Sequence, residues 1–145
     1  MIVISHRGNL NGPDPLLENK IETIESVINL GFDCEIDLWY IQDRFFLGHD
    51  SPETEVNFGW LIDLQNKLWV HCKNLDCIEK LTGTELNFFW HDKDLMTITS
   101  KGFYWSQPNV YLKNCISVEL EYKEITNNLL GVCTDYPQKF IKKIG

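Results

Sequence analysis

The chain has 145 residues, of which 43% are hydrophobic and 12% aromatic, and its formal net charge is −8 at pH 7. This length predicts a single domain over residues 1–145, and the apolar content excludes a disordered chain. The negative charge argues against nucleic acid or an anionic membrane surface as the main partner. No apolar stretch approaches the length of a membrane span, so no transmembrane segment is expected.

Five cysteines are present. Their odd number and the apolar runs around three of them predict reduced, buried thiols, which are typical of a cytoplasmic protein. Because a strand-like run begins at residue 2, no signal peptide is expected. A zinc site built from His71, Cys72 and Cys77 is a weak alternative, since Cys-x4-Cys without a second pair matches structural zinc spacing poorly.

Strand-like and helix-like segments alternate through the first half of the chain. Residues 2–6 predict a strand, and a loop rich in Asn, Gly, Pro and Asp follows. Asn19 is the expected N-cap of a helix that ends at Gly31, since apolar residues recur at helical spacing between them. Further strands are predicted at 33–40, 44–49, 67–73 and 87–91, with a short helix over 75–81.

The second half predicts fewer helices. Strands are expected at 97–106, 115–121 and 130–133, with a short helix at 124–130 and a final helix that begins at Pro137. The alternation predicts an α/β fold, a minimal or truncated TIM-like (β/α) barrel with several helices reduced or missing, because a full barrel needs ~250 residues. Such a barrel would leave apolar strand faces that a second subunit could cover, so a homo-oligomer remains open.

All four histidines follow apolar, strand-like runs. They are His6, His49, His71 and His91. A single histidine in this position is typical of a boundary residue, but polar groups gathered at the C-terminal ends of parallel strands are typical of a reaction centre. The pattern therefore predicts one polar site at the mouth of the strand array.

Two acidic residues share one face of the predicted strand over residues 33–40. Because side chains alternate along a strand, Glu35 and Asp37 point to one side and the apolar residues between them to the other. Two adjacent carboxylates repel, and each raises the pKa of the other. A divalent cation is the usual remedy, so the pair predicts a metal site; an exposed acidic strand face is the alternative.

Cationic groups accompany this pair. The strand over 67–73 places His71 and Lys73 on one face, and Arg7 supplies a guanidinium suited to a phosphate group. Metal-assisted phosphoryl chemistry requires neutralisation of the phosphate charge together with an acid and a base. These residues are consistent with that chemistry.

Six short segments form a recognisable series along the chain: His6-Arg7-Gly8, Leu17-Glu18-Asn19, Glu35-x-Asp37, Gly48-His49-Asp50, Val70-His71-Cys72-Lys73 and Gly131-Val132-Cys133-Thr134-Asp135-Tyr136-Pro137. These motifs resemble the glycerophosphodiester phosphodiesterase family, within the phosphatidylinositol-phospholipase-C-like superfamily, and the chain would be a short, divergent member. Order and spacing match over roughly the first 50 residues, whereas the stretch between about 85 and 125 does not align.

The resemblance implies a metal-dependent phosphoric diester hydrolase acting on a glycerophosphodiester-like or polyol phosphodiester. His6 and His49 would be the general acid and base, or His6 a nucleophile. Arg7 and Lys73 would bind the substrate phosphate. Glu18 would not bind the metal or the substrate itself but would orient Arg7 or the metal site. The attacking group would be water or an adjacent hydroxyl of the substrate.

The resemblance also implies a divalent metal held by Glu35 and Asp37, Mg²⁺ or Ca²⁺ in that family. The family's third carboxylate ligand corresponds to His71, and an imidazole there shifts the preference towards Mn²⁺ or Zn²⁺. Asp92 or Glu119 are alternatives for the third ligand.

Two other functions remain open. A catalytically degenerate barrel could bind a phosphorylated sugar or lipid headgroup without cleaving it, although binding alone does not require two titrating histidines. A transition-metal hydrolase of unrelated type could use His71 and His91 as ligands.

Overall fold

The computed structural model describes residues 1–144, with side chains through Ile141. This part of the chain forms ten strands: β1 (Ile2–His6), β2 (Asp33–Ile41), β3 (Arg44–Leu47), β4 (Thr54–Val56), β5 (Leu68–Cys72), β6 (Asn87–Phe89), β7 (Met96–Ile98), β8 (Tyr104–Ser106), β9 (Cys115–Val118) and β10 (Gly131–Thr134). Its four short helices are α1 (Ile21–Asn29), α2 (Phe58–Asp63), α3 (Leu75–Leu81) and α4 (Pro137–Ile144). None of these helices has the length and apolar character needed to cross a bilayer.

The strands form one curled, mixed sheet. Parallel pairing runs through the order β6-β5-β2-β1-β10-β9-β8. Strand β3 pairs antiparallel with β2 and with β4, and β7 pairs antiparallel with β8. The architecture is therefore a mixed half-barrel.

The prediction of a TIM-like (β/α) barrel is wrong. Within residues 1–144, a lone helix links consecutive parallel strands only twice, α1 between β1 and β2 and α3 between β5 and β6. The chain reaches β5 through β3, β4 and α2, and it reaches β8 through β7. An antiparallel hairpin closes with a short turn, whereas a parallel crossover needs a dozen or more residues. Hairpin strands therefore take the place of helices before β5 and β8, and irregular segments join β8 to β9 and β9 to β10.

Local predictions succeeded and failed for identifiable reasons. The final helix begins at Pro137 as predicted, but residues 124–130 form no helix. Asn127 and Asn128 lie in that segment, and Asn competes with helix formation by bonding its own backbone. The strand predicted over 97–106 is interrupted by a turn at Gly102, whose φ of 87° suits glycine, so it forms the β7–β8 hairpin.

Two apolar layers lie on opposite faces of the sheet. Six strands each contribute one residue to an inner cluster: Ile4, Trp69, Phe89, Trp105, Ile116 and Cys133. Alternate residues such as Ile36 pack on the other face with helix residues such as Ile24 and Leu81. Because side chains alternate, positions two residues beyond Ile4, Trp69 and Cys133 continue the inner face towards the C-terminal strand ends.

All five cysteines are buried and free, as the sequence predicted. Cys72 and Cys77 belong to the cluster that packs on the helices. His71, one position from Cys72 along the strand, points to the opposite face. The alternative zinc site built from these three residues is therefore wrong.

Candidate metal and catalytic site

The acidic pair of β2 meets an imidazole from β5. The parallel register places His71 beside Asp37. His71 Nδ1 lies 3.3 Å from Asp37 Oδ1 and 3.8 Å from Glu35 Oε2, and one donor atom from each residue lies within 4.8 Å of the others. Glu35 is 2% exposed and Asp37 0%, so the alternative of an exposed acidic strand face is excluded.

Two carboxylate oxygens of this cluster are buried without a hydrogen-bond partner, Glu35 Oε1 and Asp37 Oδ1. An unpaired buried polar atom costs about 1–3 kcal/mol, and more when it is charged. A cation between the carboxylates would satisfy both oxygens. The residues present therefore fit a divalent metal ion, with Glu35, Asp37 and His71 as its ligands.

The second nitrogen of His71 determines which atom faces the carboxylates. His71 Nε2 lies 2.9 Å from the backbone carbonyl oxygen of His91. Because a carbonyl only accepts hydrogen bonds, Nε2 carries the proton and Nδ1 is the nitrogen available to a ligand. The ring also stacks on Phe89, with centroids 5.2 Å apart, which holds its plane.

The two carboxyls of β2 have opposite pKa shifts. Burial raises the pKa of Glu35 well above its ordinary value, and repulsion from Asp37 adds to this, while Arg7 and Lys73 oppose it. Burial also acts to raise the pKa of Asp37, but the contact with His71, the charge of Arg7 and the hydrogen bond from Asn19 outweigh it, so that pKa lies below its ordinary value.

Asn19 binds Asp37 through two hydrogen bonds, a role that the sequence did not predict. Its Nδ2 donates to Asp37 Oδ2 at 3.0 Å, and its Oδ1 accepts from the Asp37 backbone N–H at 3.0 Å. Its own backbone N–H donates to the Arg7 carbonyl oxygen. Asn19 has a φ of 57°, which Asn tolerates better than most residues. The predicted N-cap role is wrong, because the cap of α1 is Lys20.

Arg7 forms ion pairs with both Asp37 and Glu18. Its Nε lies 3.1 Å from Asp37 Oδ2 and its Nη1 3.5 Å from Glu18 Oε2, as an orienting role for Glu18 requires. Burial lowers the pKa of Arg7, but the surrounding carboxylates outweigh it and the net shift is upward. Lys73 is half-buried, and its charge acts to lower the pKa of Glu35. Of the two predicted phosphate-binding cations, Arg7 therefore contacts the metal cluster directly and Lys73 acts on it through its charge.

His6 approaches the cluster from β1 and is oriented by Asp135. His6 Nδ1 lies 2.8 Å from Asp135 Oδ1, which also accepts from Asn9 Nδ2 at 2.9 Å. This arrangement assigns the proton to Nδ1, so Nε2 faces Glu35 Oε1 at 4.0 Å. Burial acts to raise the pKa of Asp135, but the contacts with His6 and Asn9 outweigh it and lower that pKa. The sequence marked Asp135 only as part of a strand-end motif.

His49 is placed differently from His6. Its side chain is 42% exposed, and its Nδ1 pairs with Asp50 Oδ1 at 2.8 Å. The backbone before it is fixed, since Gly48 N–H donates to the Asp37 carbonyl and the Gly48 carbonyl accepts from Trp39 Nε1. The His49 backbone thus starts beside Asp37, but among the described contacts its ring is not joined to the buried cluster.

Neither alternative third ligand joins the two carboxylates. Asp92 is exposed. Glu119 is buried, but its oxygens are occupied by Ser117 Oγ at 2.7 Å and Lys123 Nζ at 3.0 Å. Over the described residues, the three-residue donor group contains His71 instead.

The His91 ring lies outside this donor group. Its Nε2 lies 3.1 Å from Gln107 Nε2, and its Nδ1 is buried without a partner. Burial lowers the pKa of His91, and the nearby His71 adds to this shift. His91 therefore acts on the cluster through its backbone carbonyl.

Comparisons with family models, curated proteins and solved structures found no match to this chain. No family is therefore assigned, and the resemblance to glycerophosphodiester phosphodiesterases stays an interpretation of the motifs.

Proposed function

We propose that the chain is a metal-dependent phosphodiesterase that hydrolyses a glycerophosphodiester-like or polyol phosphodiester substrate. One observation carries the proposal. Asp37 Oδ1 is buried and unpaired 3.3 Å from His71 Nδ1, and Glu35 Oε1 is buried and unpaired 4.0 Å from His6 Nε2. A cation site next to an oriented imidazole matches what hydrolysis of an anionic diester requires.

The charged groups divide into two sets. Glu35, Asp37 and His71 would hold the metal, which would neutralise charge on the phosphate oxygens when bound. Arg7 and Lys73 would bind the remaining phosphate oxygens, since Arg7 contacts Asp37 and the positive charge of Lys73 acts on Glu35. Their positive charge offsets the field of a chain whose net charge is −8.

Proton transfer would use the two histidines in opposite roles. His6 Nε2 takes a proton from the attacking water or substrate hydroxyl, and the Asp135 carboxylate stabilises the imidazolium that forms. The new P–O bond forms as the bond to the leaving alcohol breaks. His49 donates a proton to the leaving oxygen, and its exposed position is accessible to a large alcohol.

The second candidate is a module that binds a phosphorylated sugar or lipid headgroup without cleaving it. The placement of His49 favours this candidate, because its ring pairs with Asp50 at 2.8 Å. A site with one oriented imidazole retains the charges for phosphate binding and lacks a buried second proton carrier.

Turnover assays separate the two candidates. Metal-free protein is assayed on a glycerophosphodiester and on an aryl phosphodiester, alone and with Mg²⁺, Ca²⁺, Mn²⁺ or Zn²⁺. An enzyme shows metal-dependent release of the alcohol and a bell-shaped pH–rate profile, since one imidazole must be neutral and the other charged.

Histidine variants provide the matched comparison. His6→Ala and His49→Ala should each lower turnover by on the order of 10²–10⁴-fold with little change in phosphate affinity. His91→Ala should have a smaller effect, because it keeps the carbonyl that contacts His71. A wild type that is inactive with every metal, yet binds a phosphorylated polyol, would establish the binding module instead.

A further inference from the structure

We infer that this site selects Zn²⁺, or another first-row transition ion that binds imidazole, over Mg²⁺ and Ca²⁺. The inference deepens the proposed function, because it names the metal of the same site, but it rests on the donor atoms and not on turnover. Three features carry it: the orientation of His71, the spacing of the donors and the small number of free oxygens.

His71 presents a nitrogen ligand to the carboxylates. Its Nε2–H is used by the His91 carbonyl, so the lone pair of Nδ1 points towards Asp37 and Glu35. A neutral imidazole is a good ligand for Zn²⁺, Cu²⁺, Fe²⁺ and Ni²⁺, whereas Mg²⁺ and Ca²⁺ are bound by oxygen. A backbone carbonyl that orients the ring is the usual partner of a metal-bound histidine.

The donor spacing suits a small, low-coordinate ion. Tetrahedral ligands about 2.0–2.2 Å from Zn²⁺ lie about 3.4 Å from one another. His71 Nδ1 lies 3.3 Å from Asp37 Oδ1 and 3.8 Å from Glu35 Oε2. Three protein donors with an open fourth position are typical of catalytic zinc.

The oxygens that Ca²⁺ would need are already occupied. Asp37 Oδ2 accepts from Asn19 and contacts Arg7, so Asp37 can offer only Oδ1. Asn19 Oδ1 is bonded to the Asp37 backbone, and Asn9 Oδ1 to a backbone N–H. Ca²⁺ takes 6–8 oxygen ligands, whereas the cluster supplies carboxylate oxygens from two residues only.

Direct binding tests the inference without any assay of turnover. Metal-free wild-type protein is titrated by calorimetry with Zn²⁺, Mg²⁺ and Ca²⁺, and Co²⁺ serves as a spectroscopic probe of coordination. We expect Zn²⁺ to bind at least about tenfold more tightly than either hard ion. Bound Co²⁺ should show the intense visible bands of a four- or five-coordinate ion.

Two variants assign the preference to His71. His71→Glu makes the donor set all oxygen, so the ratio of Zn²⁺ to Mg²⁺ affinity should fall by about tenfold or more and the Co²⁺ bands should weaken. His91→Ala removes a neighbouring imidazole but keeps the carbonyl, so both readouts should stay unchanged. Circular dichroism checks folding; where His71→Glu does not fold, His71→Gln removes the same nitrogen without adding charge.

The outcomes separate this inference from the proposed function. Mg²⁺ or Ca²⁺ binding more tightly than Zn²⁺, or a preference unaltered by loss of His71, overturns the inference while a Mg²⁺-dependent phosphodiesterase stands. Tight Zn²⁺ binding through His71 without turnover supports the inference and overturns the enzyme. Absence of binding by all three ions overturns both.

Discussion

His6 and Asp135, 129 residues apart in the chain, face each other across adjacent strands, with Nδ1 and Oδ1 separated by 2.8 Å. Parallel pairing of β1 with β10 sets Ser5 beside Thr134, so the next residue of each strand meets at the same end of the sheet. The carboxylate holds the ring so that Nε2 faces Glu35. A proton carrier is thereby oriented by a contact that no local motif contains.

Asp135→Asn should lower turnover, on the order of 10²-fold or more, while substrate affinity changes little. The amide keeps the shape of the carboxylate but cannot stabilise the imidazolium. Steady-state kinetics over a pH series measures the effect. A KM that rises while kcat stays constant would show instead that Asp135 acts in binding.

Asp135 should also contribute to the pH dependence of folding stability in acid. The pKa of Asp135 is lowered in the folded protein, so its contribution to stability is present above its unfolded pKa of about 3.9 and is lost as pH falls through the folded value. In Asp135→Asn, the free energy of unfolding should fall less steeply below about pH 4. Urea denaturation between pH 2 and 7 tests this, and parallel curves for both proteins would contradict it.

Asn19→Asp should destabilise the protein by about 1–3 kcal/mol and weaken metal binding. The change replaces the amide group that donates to Asp37 Oδ2 with an oxygen that repels it. Asn114→Asp is the matched control, since Asn114 has a similar φ of 65° and is exposed; its cost should stay within about 0.5 kcal/mol. If urea denaturation shows the same loss of stability for both variants, the left-handed backbone conformation alone accounts for the presence of Asn19, without its bonds to Asp37.

The double change Glu35→Gln and Asp37→Asn should abolish divalent-ion binding, because it removes both anionic groups of the donor cluster. In the wild type, a saturating metal should raise the melting temperature, since an ion that binds only the folded state stabilises it. That rise should vanish in the variant. Unchanged metal affinity by calorimetry would show that the pair is structural.

Gly48→Ala should displace the loop that carries His49. A Cβ at this position would overlap the carbonyl oxygen of Ser51, whereas a Cβ at Gly83, which also has a positive φ, meets nothing within 4 Å. Gly83→Ala should therefore cost only the strain of its backbone, about 1–2 kcal/mol, and keep full turnover. Gly48→Ala should lower both the stability and the turnover by more than Gly83→Ala does. If thermal unfolding and kinetics show equal losses in the two variants, the loop after Gly48 does not position His49.

The pairing of Glu35 with Asp37 could be predicted because the two-residue period of a strand is local. The overall fold could not. Whether two strands are joined by a helix or a hairpin depends on the sheet that receives them, so the barrel expected from the alternation was wrong. Asn19 shows the same limit within the site, since its preference for a cap gave way to two bonds with Asp37.

The sequence by itself determined which residues share a strand face, which thiols stay free and where polar groups follow apolar runs, because each depends on neighbours along the chain. Only the tertiary structure decided that His71 offers Nδ1, that Asp135 orients His6 and that the His49 ring pairs with Asp50. The first two depend on the register between strands and on partners 20 and 129 residues away. The pairing of His49 with Asp50 depends on how the chain turns after β3, because the backbone conformation of that turn decides which neighbour the histidine ring contacts.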